Sequence, residues 1–271
     1  MTTVLVTGAS SGIGEATVRK LLAEGYHVFA AARRLERMKS LEAAGAKLLH
    51  LDLTDDASIT TAAAQVGDVD ILVNNAGYGS YGALEDVPME EARRQFEVNV
   101  FGLARLTQLV TPGMRAKKNG AIVNVGSIGG KFGEPMGSWY HATKYAVEGL
   151  SDSLRMELTP FGIRVILIEP GAIATEWAGI AVATLRKASG NTAYREQAEL
   201  HARMFESADL ARMASPPAVV ADTIAQALKA KRPRTRYATG GGAPMFLFMV
   251  KILPDRALDW LMRMAEKRMA K

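Results

Sequence analysis

The sequence predicts a Rossmann-type α/β fold, which is a doubly wound parallel sheet of six to seven strands with helices on both faces and a helical C-terminal extension. Six short runs are nearly all apolar and lack the polar alternation of a half-exposed strand, which indicates strands buried on both faces. Longer helical segments separate these runs, as in repeated strand–helix–strand units. Hydrophobic residues make up 48% of the chain and charged residues 23%, a balance typical of a globular protein with a sizeable core.

The predicted elements alternate along the first two thirds of the chain. Apolar and β-branched residues place the strands at Thr3–Thr7, His27–Ala32, Lys47–Asp52, Ile71–Asn74, Ala121–Val125 and Arg164–Glu169. Helices are expected near Glu15–Glu24 and Leu35–Ala44, between the first three strands. A short seventh strand is expected at Tyr237–Thr239.

The chain beyond Thr175 has a different pattern. Residues Glu176–Met213 are predicted to be helical, but their apolar residues lack the regular spacing of a core helix. They follow the sixth strand at the ligand-binding edge of the sheet, so we expect a mobile lid over an apolar pocket. A helical hairpin packed on the sheet or on a partner subunit is the alternative.

The rest of the chain adds helices without a linker or an internal repeat. Ser215 is suited to be an N-cap and Pro216 to be the first residue of a further helix. Residues 240–271, rich in Met, Leu and Trp, form the C-terminal extension. The sequence therefore predicts one domain over residues 1–271.

Composition excludes several classes of protein. The chain has no cysteine, which rules out disulfides and thiolate metal sites and fits a reducing cytoplasm, and its four histidines are too scattered for a zinc site. The net charge of +5 is spread along the chain, unlike the concentrated basic surface of a nucleic-acid-binding protein. The late apolar stretch Ala243–Val250 is shorter than the roughly 18–20 residues that span a bilayer. We therefore expect a cytoplasmic protein with no metal, no nucleic-acid partner and no transmembrane segment.

A glycine-rich turn joins the first strand to the first helix. Gly8 permits a tight turn, Gly12 lets the backbone approach a pyrophosphate, and Gly14 lets the helix pack close to the sheet. The N-terminus of the helix then offers free N–H groups and a positive dipole end to the phosphates. The sequence therefore predicts a nucleotide-binding site at this turn.

Five spaced motifs together resemble the classical short-chain dehydrogenase/reductase family, and two phrases resemble its hydroxysteroid and retinol dehydrogenase branch. The motifs are the G-x-x-x-G-x-G turn ending at Gly14, the NNAG at Asn74–Gly77, the helical Asn99, the catalytic Ser127, Tyr140 and Lys144, and Pro170-Gly171 with Thr175. The resemblance covers roughly residues 3–240. It implies an enzyme that interconverts a secondary alcohol and a ketone or aldehyde.

The resemblance assigns the acid–base chemistry to Tyr140. Tyr140 and Lys144 are four residues apart, so a helix places them on one side. A nearby lysine ammonium, aided by the positive charge of oxidised nicotinamide, favours the phenolate and lowers the tyrosine pKa from about 10. Tyr140 would then be the general acid in reduction and the general base in oxidation. Ser127 would hold the substrate oxygen, Lys144 the nicotinamide ribose, and Asn99 a water that links Lys144 to solvent. His141 is a departure from the family pattern, and it is either a structural residue or a second proton carrier.

Cofactor choice is predicted at the end of the second strand. An NAD-preferring fold carries an acidic residue there for the ribose hydroxyl, whereas this chain has Arg33 and Arg34. Arginine pairs with phosphate through two hydrogen bonds, which predicts NADP(H) in preference to NAD(H). The resemblance also places Asp52 and Leu53 at the adenine edge. The remaining predicted cofactor-binding residues are Gly8, Ser10, Ser11, Gly12, Ile13, Gly14, Asn75, Ala76, Gly77, Tyr140, Lys144, Pro170, Gly171, Ile173 and Thr175.

Two other functions are alternatives to an enzymatic one. The first is a non-enzymatic NADP(H)-binding sensor or scaffold on the same fold, although such proteins usually lose the tyrosine or the lysine. The second is a nucleic-acid-binding protein, which rests only on the pI near 9.4 and requires a steep salt dependence of affinity. For the enzyme we expect a small-molecule carbonyl or alcohol substrate and a homodimer or homotetramer.

Overall fold

A single sheet of seven parallel strands organises the chain, of which the computed structural model describes residues 1–270. The strands are β1 Thr3–Thr7, β2 His27–Ala32, β3 Lys47–His50, β4 Ile71–Asn74, β5 Gly120–Val125, β6 Ile163–Pro170 and β7 Arg236–Thr239. Their order across the sheet is β3-β2-β1-β4-β5-β6-β7. The order reverses between β1 and β4, so a crevice opens beyond the carboxyl ends of these two strands. The predicted Rossmann-type fold is confirmed.

Twelve α-helices surround the sheet within the described residues. They are α1 Gly12–Ala23, α2 Lys39–Ala43, α3 Asp56–Val66, α4 Met89–Phe96, α5 Gly102–Ala116, α6 Ser138–Leu158, α7 Trp177–Ser189, α8 Arg195–Glu206, α9 Ala208–Met213, α10 Pro217–Lys229, α11 Ala243–Ile252 and α12 Asp255–Met269. Tighter 3₁₀ turns lie at Leu35–Met38, Ile128–Gly130 and Thr159–Phe161, and a π-helical turn lies at Glu97–Phe101.

The sheet has a hydrophobic core on each face. In β1, Val4 and Val6 pack on the side covered by α1 and α10, whereas Leu5 packs on the side covered by α3 and α5. All three side chains are completely buried. Burial on both faces explains why the strands are continuous apolar runs, as the sequence predicted.

The predicted strands agree with the structure to within two residues, and β1, β2 and β4 have the predicted bounds. β3 is shorter and ends at His50, because Asp52 turns the chain by accepting hydrogen bonds from the backbone N–H and the hydroxyl of Thr54. α1 begins at Gly12, three residues before its predicted start. The single helix predicted at Leu35–Ala44 is a 3₁₀ turn followed by α2.

The predicted start of the helix after the lid segment is wrong by one residue. Pro216 is the N-cap of α10 and Pro217 is its first residue. The Ser215 hydroxyl instead accepts a hydrogen bond from the backbone N–H of Gly241 (3.0 Å), and the Ser215 carbonyl accepts one from Ala174 (2.9 Å). Ser215 thus ties the segment after β6 to the loop after β7.

Two buried carboxyl groups lie between α6 and the β6–β7 edge of the sheet. The side chains of Glu148 and Glu169 are 7% and 4% exposed. Arg236 binds Glu148 at 3.1 Å and lies 3.8 Å from Glu169, and Lys131 contacts both. Burial and the neighbouring Glu148 raise the pKa of Glu169 to about 7.

This raised pKa makes stability depend on pH. Because the folded-state pKa of Glu169 exceeds its ordinary value, its stabilising contribution is fully present at acid pH and is lost as the pH rises through about 7. Gln mimics the protonated carboxyl group, so the Tm of Glu169→Gln relative to wild type should be higher at about pH 8 than at about pH 5.

Thermal unfolding of both proteins at the two pH values measures this effect. Glu42→Gln, at an exposed position of α2, is the matched control and should show no such pH-dependent offset. An offset for Glu169→Gln that does not change with pH would show that Glu169 titrates normally.

Candidate functional site

The loops after β1 and β4 are joined by hydrogen bonds at the edge where the strand order reverses. The Thr7 hydroxyl accepts hydrogen bonds from the backbone N–H groups of Asn75 and Ala76, each at 3.0 Å, and lies 3.4 Å from the Val73 carbonyl, to which it donates. The Asn75 side chain donates to the Thr7 carbonyl at 2.9 Å. These contacts fix the NNAG loop beside the glycine-rich turn.

The glycine-rich turn has the conformation that its three glycines allow. Gly8 and Gly12 have φ angles of +67° and +55°, which disfavour residues with a Cβ. A Cβ on Gly14 would lie 2.2 Å from the Gly8 carbonyl oxygen and 2.6 Å from the Asn75 side-chain nitrogen. α1 begins at Gly12, and the side chain of its N-cap, Ser11, makes no capping hydrogen bond. The first N–H groups of α1 therefore form a cradle for an anion.

Two arginines flank this cradle at the end of β2. Arg33 and Arg34 are exposed, and within residues 1–270 neither forms a salt bridge, whereas Arg37 binds Glu176. Burial raises the pKa of Asp52, but hydrogen bonds from Thr54 and the charge of Arg33 outweigh it and hold that pKa below its usual value. Two guanidinium groups are thus available to a phosphate.

One cavity of about 1330 Å³ joins the cradle to the carboxyl ends of β4, β5 and β6 and to the helices beyond β6. It brings together all but two of the predicted site residues: Gly8, Ser10, Ser11, Gly12, Ile13, Arg33, Arg34, Asp52, Leu53, Asn75, Ala76, Gly77, Ser127, Tyr140, Lys144, Pro170, Gly171, Ile173 and Thr175. Gly14 and Asn99 are not part of its lining. Both lie behind the wall that they support.

Asn99 is a buried support for this wall. It lies in the π-helical turn, a distortion frequent at functional sites. Its side-chain oxygen accepts from the Tyr78 backbone N–H (3.1 Å), and its nitrogen donates to the Tyr78 carbonyl (2.9 Å) and the Thr143 hydroxyl (3.0 Å). Asn99 therefore links the loop after β4 to α6, one residue before Lys144.

Ser127 lies directly beyond β5. Its oxygen accepts a hydrogen bond from the Gly129 backbone N–H at 3.0 Å, and hydrogen bonding by the Ser127 hydroxyl to Tyr140 lowers the pKa of the phenol. Burial nevertheless dominates and raises the pKa of Tyr140 to about 12. The phenol is therefore protonated at neutral pH.

Lys144 lies on the same helix as Tyr140 but bonds elsewhere. Its ammonium group donates to the Val125 carbonyl at 3.1 Å and lies 6.0 Å from the centre of the Tyr140 ring. Burial lowers the pKa of Lys144 to about 8, partly offset by the charge of Glu148. In the protein alone burial raises the pKa of Tyr140, and the effect of Lys144 together with oxidised nicotinamide stays a prediction.

The segment predicted as a lid forms helices α7, α8 and α9 over Tyr140. Ala181 and Leu185 of α7 and Ala198 and Ala202 of α8 are fully buried in one cluster with Tyr140. The expectation that this segment lacks the spacing of a packed helix is therefore wrong, because small alanines form much of the buried face. Large aromatic and apolar side chains cover the same cavity wall: Tyr81, Trp177, Ile180, Met204 and Phe205.

Sequence reasoning missed a polar cluster and the contribution of the C-terminal helices. Glu134, in the loop before α6, and Glu266, on α12, both line the cavity. Burial raises the pKa of Glu134, but His141 and His201 in their protonated form, together with the Tyr81 hydroxyl, outweigh it and hold that pKa below its usual value. α11 and α12 add apolar side chains to the cavity wall: Phe246, Met249, Leu261, Met262, Ala265 and Met269. No short motif marks these residues, because they meet only through tertiary packing.

The fold and the site together define a nucleotide-binding oxidoreductase with a Ser, Tyr and Lys group beside the nucleotide cradle. The family model described as short chain dehydrogenase matches residues 2–185. The chain belongs to this short-chain dehydrogenase family and is an oxidoreductase. The resemblance stated from the motifs is thereby confirmed, and its narrower link to hydroxysteroid and retinol dehydrogenases stays a prediction.

Individual relatives are similar over nearly the whole chain. An NADPH-dependent 3-dehydrocapnine reductase of Ornithobacterium rhinotracheale is 36% identical over 271 residues, which is 94% of each chain. The crystal structure of a short-chain dehydrogenase from Streptomyces avermitilis has a TM-score of 0.75 at 37% identity and covers 91% of this chain and 90% of its own. A short-chain dehydrogenase from Sphingobium yanoikuyae in complex with NADPH has a TM-score of 0.63 at 36% identity, covering 67% of this chain and 75% of its own.

Neither a helix able to span a membrane nor a metal-binding cluster occurs among the described residues. Among residues 1–270, no helix has both the length and the apolar character needed to cross a bilayer. Within the same range, no three His, Asp or Glu side chains are placed so that they could hold a metal ion.

The close packing at Gly14 predicts the effect of one added methyl group. In Gly14→Ala, the new Cβ meets the Gly8 backbone, which cannot rotate away as a side chain would. We expect a loss of about 1–3 kcal/mol in the free energy of unfolding, together with weaker NADPH binding, because α1 must move from the turn.

Urea unfolding and NADPH fluorescence titration measure the two effects. Gly149→Ala on α6 is the matched control, since its Cβ would meet nothing within 4 Å. It should be neutral or stabilising by roughly 0.5–1 kcal/mol. An equal free energy of unfolding for Gly14→Ala and wild type would mean that the turn can move to accept the added Cβ without loss of stability.

Proposed function

We propose that the protein is an NADP(H)-dependent dehydrogenase/reductase that interconverts a secondary alcohol and a ketone or aldehyde on a largely apolar substrate. Tyr140 is its general acid and base. The single observation that carries this proposal is that Ser127, Tyr140 and Lys144 share one cavity with the anion cradle of α1. The reductase and NADPH complex among its relatives support the same reaction class.

The residues of the cradle fit nicotinamide adenine dinucleotide phosphate, NADP(H). The turn at Gly8–Gly14 leaves no room for side chains where a pyrophosphate approaches α1. Arg33 and Arg34 are free to pair with the 2′-phosphate that distinguishes NADP(H) from NAD(H). Asp52 and Leu53 lie at the same end of the cavity, where the adenine would contact them. When bound, NADPH supplies the hydride.

The chain supplies the proton and holds the reacting oxygen. The Ser127 oxygen accepts a hydrogen bond from Gly129, and its hydroxyl would donate to the substrate oxygen when substrate is bound. Tyr140, which is protonated at neutral pH, then donates its proton to the oxygen of the carbonyl group as the carbon is reduced. Lys144, whose ammonium lies 6.0 Å from the centre of the Tyr140 ring, would place a positive charge near the phenolate that this transfer leaves. Asn99 acts as a positioning residue for this pair.

The walls of the cavity indicate an apolar substrate. Trp177 lies 5.1 Å from Tyr140, ring centre to ring centre, and Tyr81 lies 5.6 Å from it. Apolar side chains of α8, α11 and α12 continue the lining away from Tyr140. Burial of a long apolar chain in this space contributes about 0.8 kcal/mol per CH₂ group. A homodimer or homotetramer stays a prediction.

Removing the phenol oxygen tests the assigned acid. In Tyr140→Phe, NADPH binding should survive, while kcat falls by at least the roughly 10²–10⁴-fold that a positioned proton donor contributes. NADPH oxidation over a panel of ketones and aldehydes, with a parallel NADPH titration, provides both measurements. Near-wild-type turnover in the variant would falsify the assignment. Tight NADPH binding with no turnover by wild type over the whole panel would favour the non-enzymatic sensor.

Removing the two arginines tests the cofactor preference. Replacement of Arg33 and Arg34 by Ala should weaken NADPH binding by about 10- to 100-fold per lost contact, because charge-assisted hydrogen bonds contribute about 1.5–3 kcal/mol. NADH binding should change far less, since NADH lacks the 2′-phosphate. Arg232→Ala, another exposed arginine, is the control and should change neither. A wild-type enzyme that prefers NADH would contradict the proposal.

The helices over Tyr140 are proposed to open and close as a lid within the single domain. Arg186 of α7 binds Glu199 and Glu206 of α8 at the surface, and α9 has no buried residue. If these helices open in the free protein, hydrogen exchange should show low protection of residues 176–213 without ligands, lowest in α9, and higher protection with cofactor and substrate. High protection in both states would identify a permanently packed helical hairpin.

A further inference from the structure

A polar cluster interrupts the apolar wall beside Tyr140. It consists of Glu134 in the loop before α6, His141 on α6 and His201 on α8, and we call these three residues the acceptor cluster. His141 and His201 are 5% and 1% exposed, and the Glu134 side chain is 12% exposed. Both Glu134 and His141 line the cavity. Polar groups buried this deeply need hydrogen-bond partners.

The contacts of the two imidazoles determine which nitrogen carries the hydrogen. Nδ1 of His141 lies 2.8 Å from the Gly129 carbonyl, and Nδ1 of His201 lies 2.8 Å from a carboxylate oxygen of Glu266. A carbonyl and a carboxylate only accept, so each Nδ1 must be the donor. In a neutral imidazole the other nitrogen, Nε2, is then an acceptor. Within residues 1–270, neither Nε2 has a hydrogen-bond partner.

Both unpartnered nitrogens face the same carboxylate. Nε2 of His141 lies 3.5 Å, and Nε2 of His201 lies 4.0 Å, from Oε1 of Glu134. The one donor that the described residues direct at this oxygen is the Tyr81 hydroxyl, at 2.7 Å. With both imidazoles neutral, three acceptors thus converge on one point with a single donor. In that state the arrangement lacks both hydrogen-bond donors and positive charge.

A primary ammonium group has the chemistry that this cluster lacks. It brings three N–H donors and a positive charge, and hydrogen bonds from a cation to a carboxylate are about twice as strong as neutral ones. Water brings only two donors and no charge. A metal ion is a poorer match, because no group of three such ligands within residues 1–270 is arranged to hold one.

The cluster adjoins the reacting centre. His141 follows Tyr140 in the chain, and the Tyr81 ring lies 5.6 Å from the Tyr140 ring and 5.7 Å from the His201 ring. We propose that the acceptor cluster binds a primary ammonium group that the substrate carries close to its carbonyl, so that the substrate class is amino ketones with an apolar chain. This inference rests on the proposed carbonyl reduction.

A matched set of three ketones tests the inference. Aminomethyl decyl ketone and methyl decyl ketone differ only in the amine, and hydroxymethyl decyl ketone replaces it by a neutral donor. With NADPH, kcat/KM of the wild type should be about 10- to 100-fold higher for the amino ketone than for methyl decyl ketone. A ratio of this size corresponds to one or two charge-assisted hydrogen bonds. The hydroxy ketone should fall between them. Equal values for all three would overturn the inference while leaving the reductase intact.

The variant Glu134→Gln removes the charge with little change of shape. It should lose most of the kcat/KM advantage of the amino ketone over methyl decyl ketone, mainly through KM. Glu157→Gln, at an exposed position of α6, is the matched control and should keep the advantage. If Glu134→Gln keeps it as well, the ammonium binds elsewhere. Melting curves of both variants check that they are folded.

A binding measurement separates this inference from the proposed function. Decylamine and decanol are titrated calorimetrically into the complex of the protein with NADPH. Tighter binding of decylamine that disappears in Glu134→Gln supports the ammonium site even if none of the ketones is reduced, in which case only the proposed reaction fails. Equal binding of the two probes means that the histidines themselves carry the missing protons, and the inference is then wrong.

Discussion

The site depends on the close approach of two loops at the junction of β1 and β4. The Thr7 hydroxyl accepts from two consecutive N–H groups of the NNAG loop, and the Asn75 side chain returns a hydrogen bond to the Thr7 carbonyl. Gly14 must lack a Cβ for α1 to begin at this point. Because these contacts fix the N-terminus of α1 beside the carboxyl end of β4, the anion cradle and the Tyr140 side of the cavity share one rigid frame.

Burial on this frame has opposite effects on the two ionisable groups of α6. It disfavours the phenolate and raises the pKa of Tyr140 to about 12, and it disfavours the ammonium and lowers the pKa of Lys144 to about 8. The order of the two values is therefore reversed relative to the free amino acids. At neutral pH the phenol of Tyr140 therefore carries its proton, as a general acid must.

The parts of this structure that the sequence predicts are those encoded by local patterns. Runs such as Ile71–Asn74 are apolar because both faces of the sheet are covered, and the glycine-rich turn is a local requirement of a strand–helix junction. The helices over Tyr140 were misjudged because Ala181 and Ala198 carry little hydrophobic signal, yet both are fully buried. Glu134 and His201 come together from the loop before α6 and from α8. Their meeting depends on how those elements pack, which no spacing in the sequence reveals.

If the acceptor cluster had only a structural role, its unsatisfied polar groups would lower the stability of the folded protein. An unsatisfied buried polar group destabilises a protein by about 1–3 kcal/mol, and apolar residues of similar volume often replace buried charges without loss of stability. His201 also bonds Glu266, which places α12 against α8 at the far wall of the cavity. Recognition of the proposed ammonium group beside Tyr140 and the attachment of the C-terminal helix therefore involve one connected set of side chains, Glu134, His201 and Glu266.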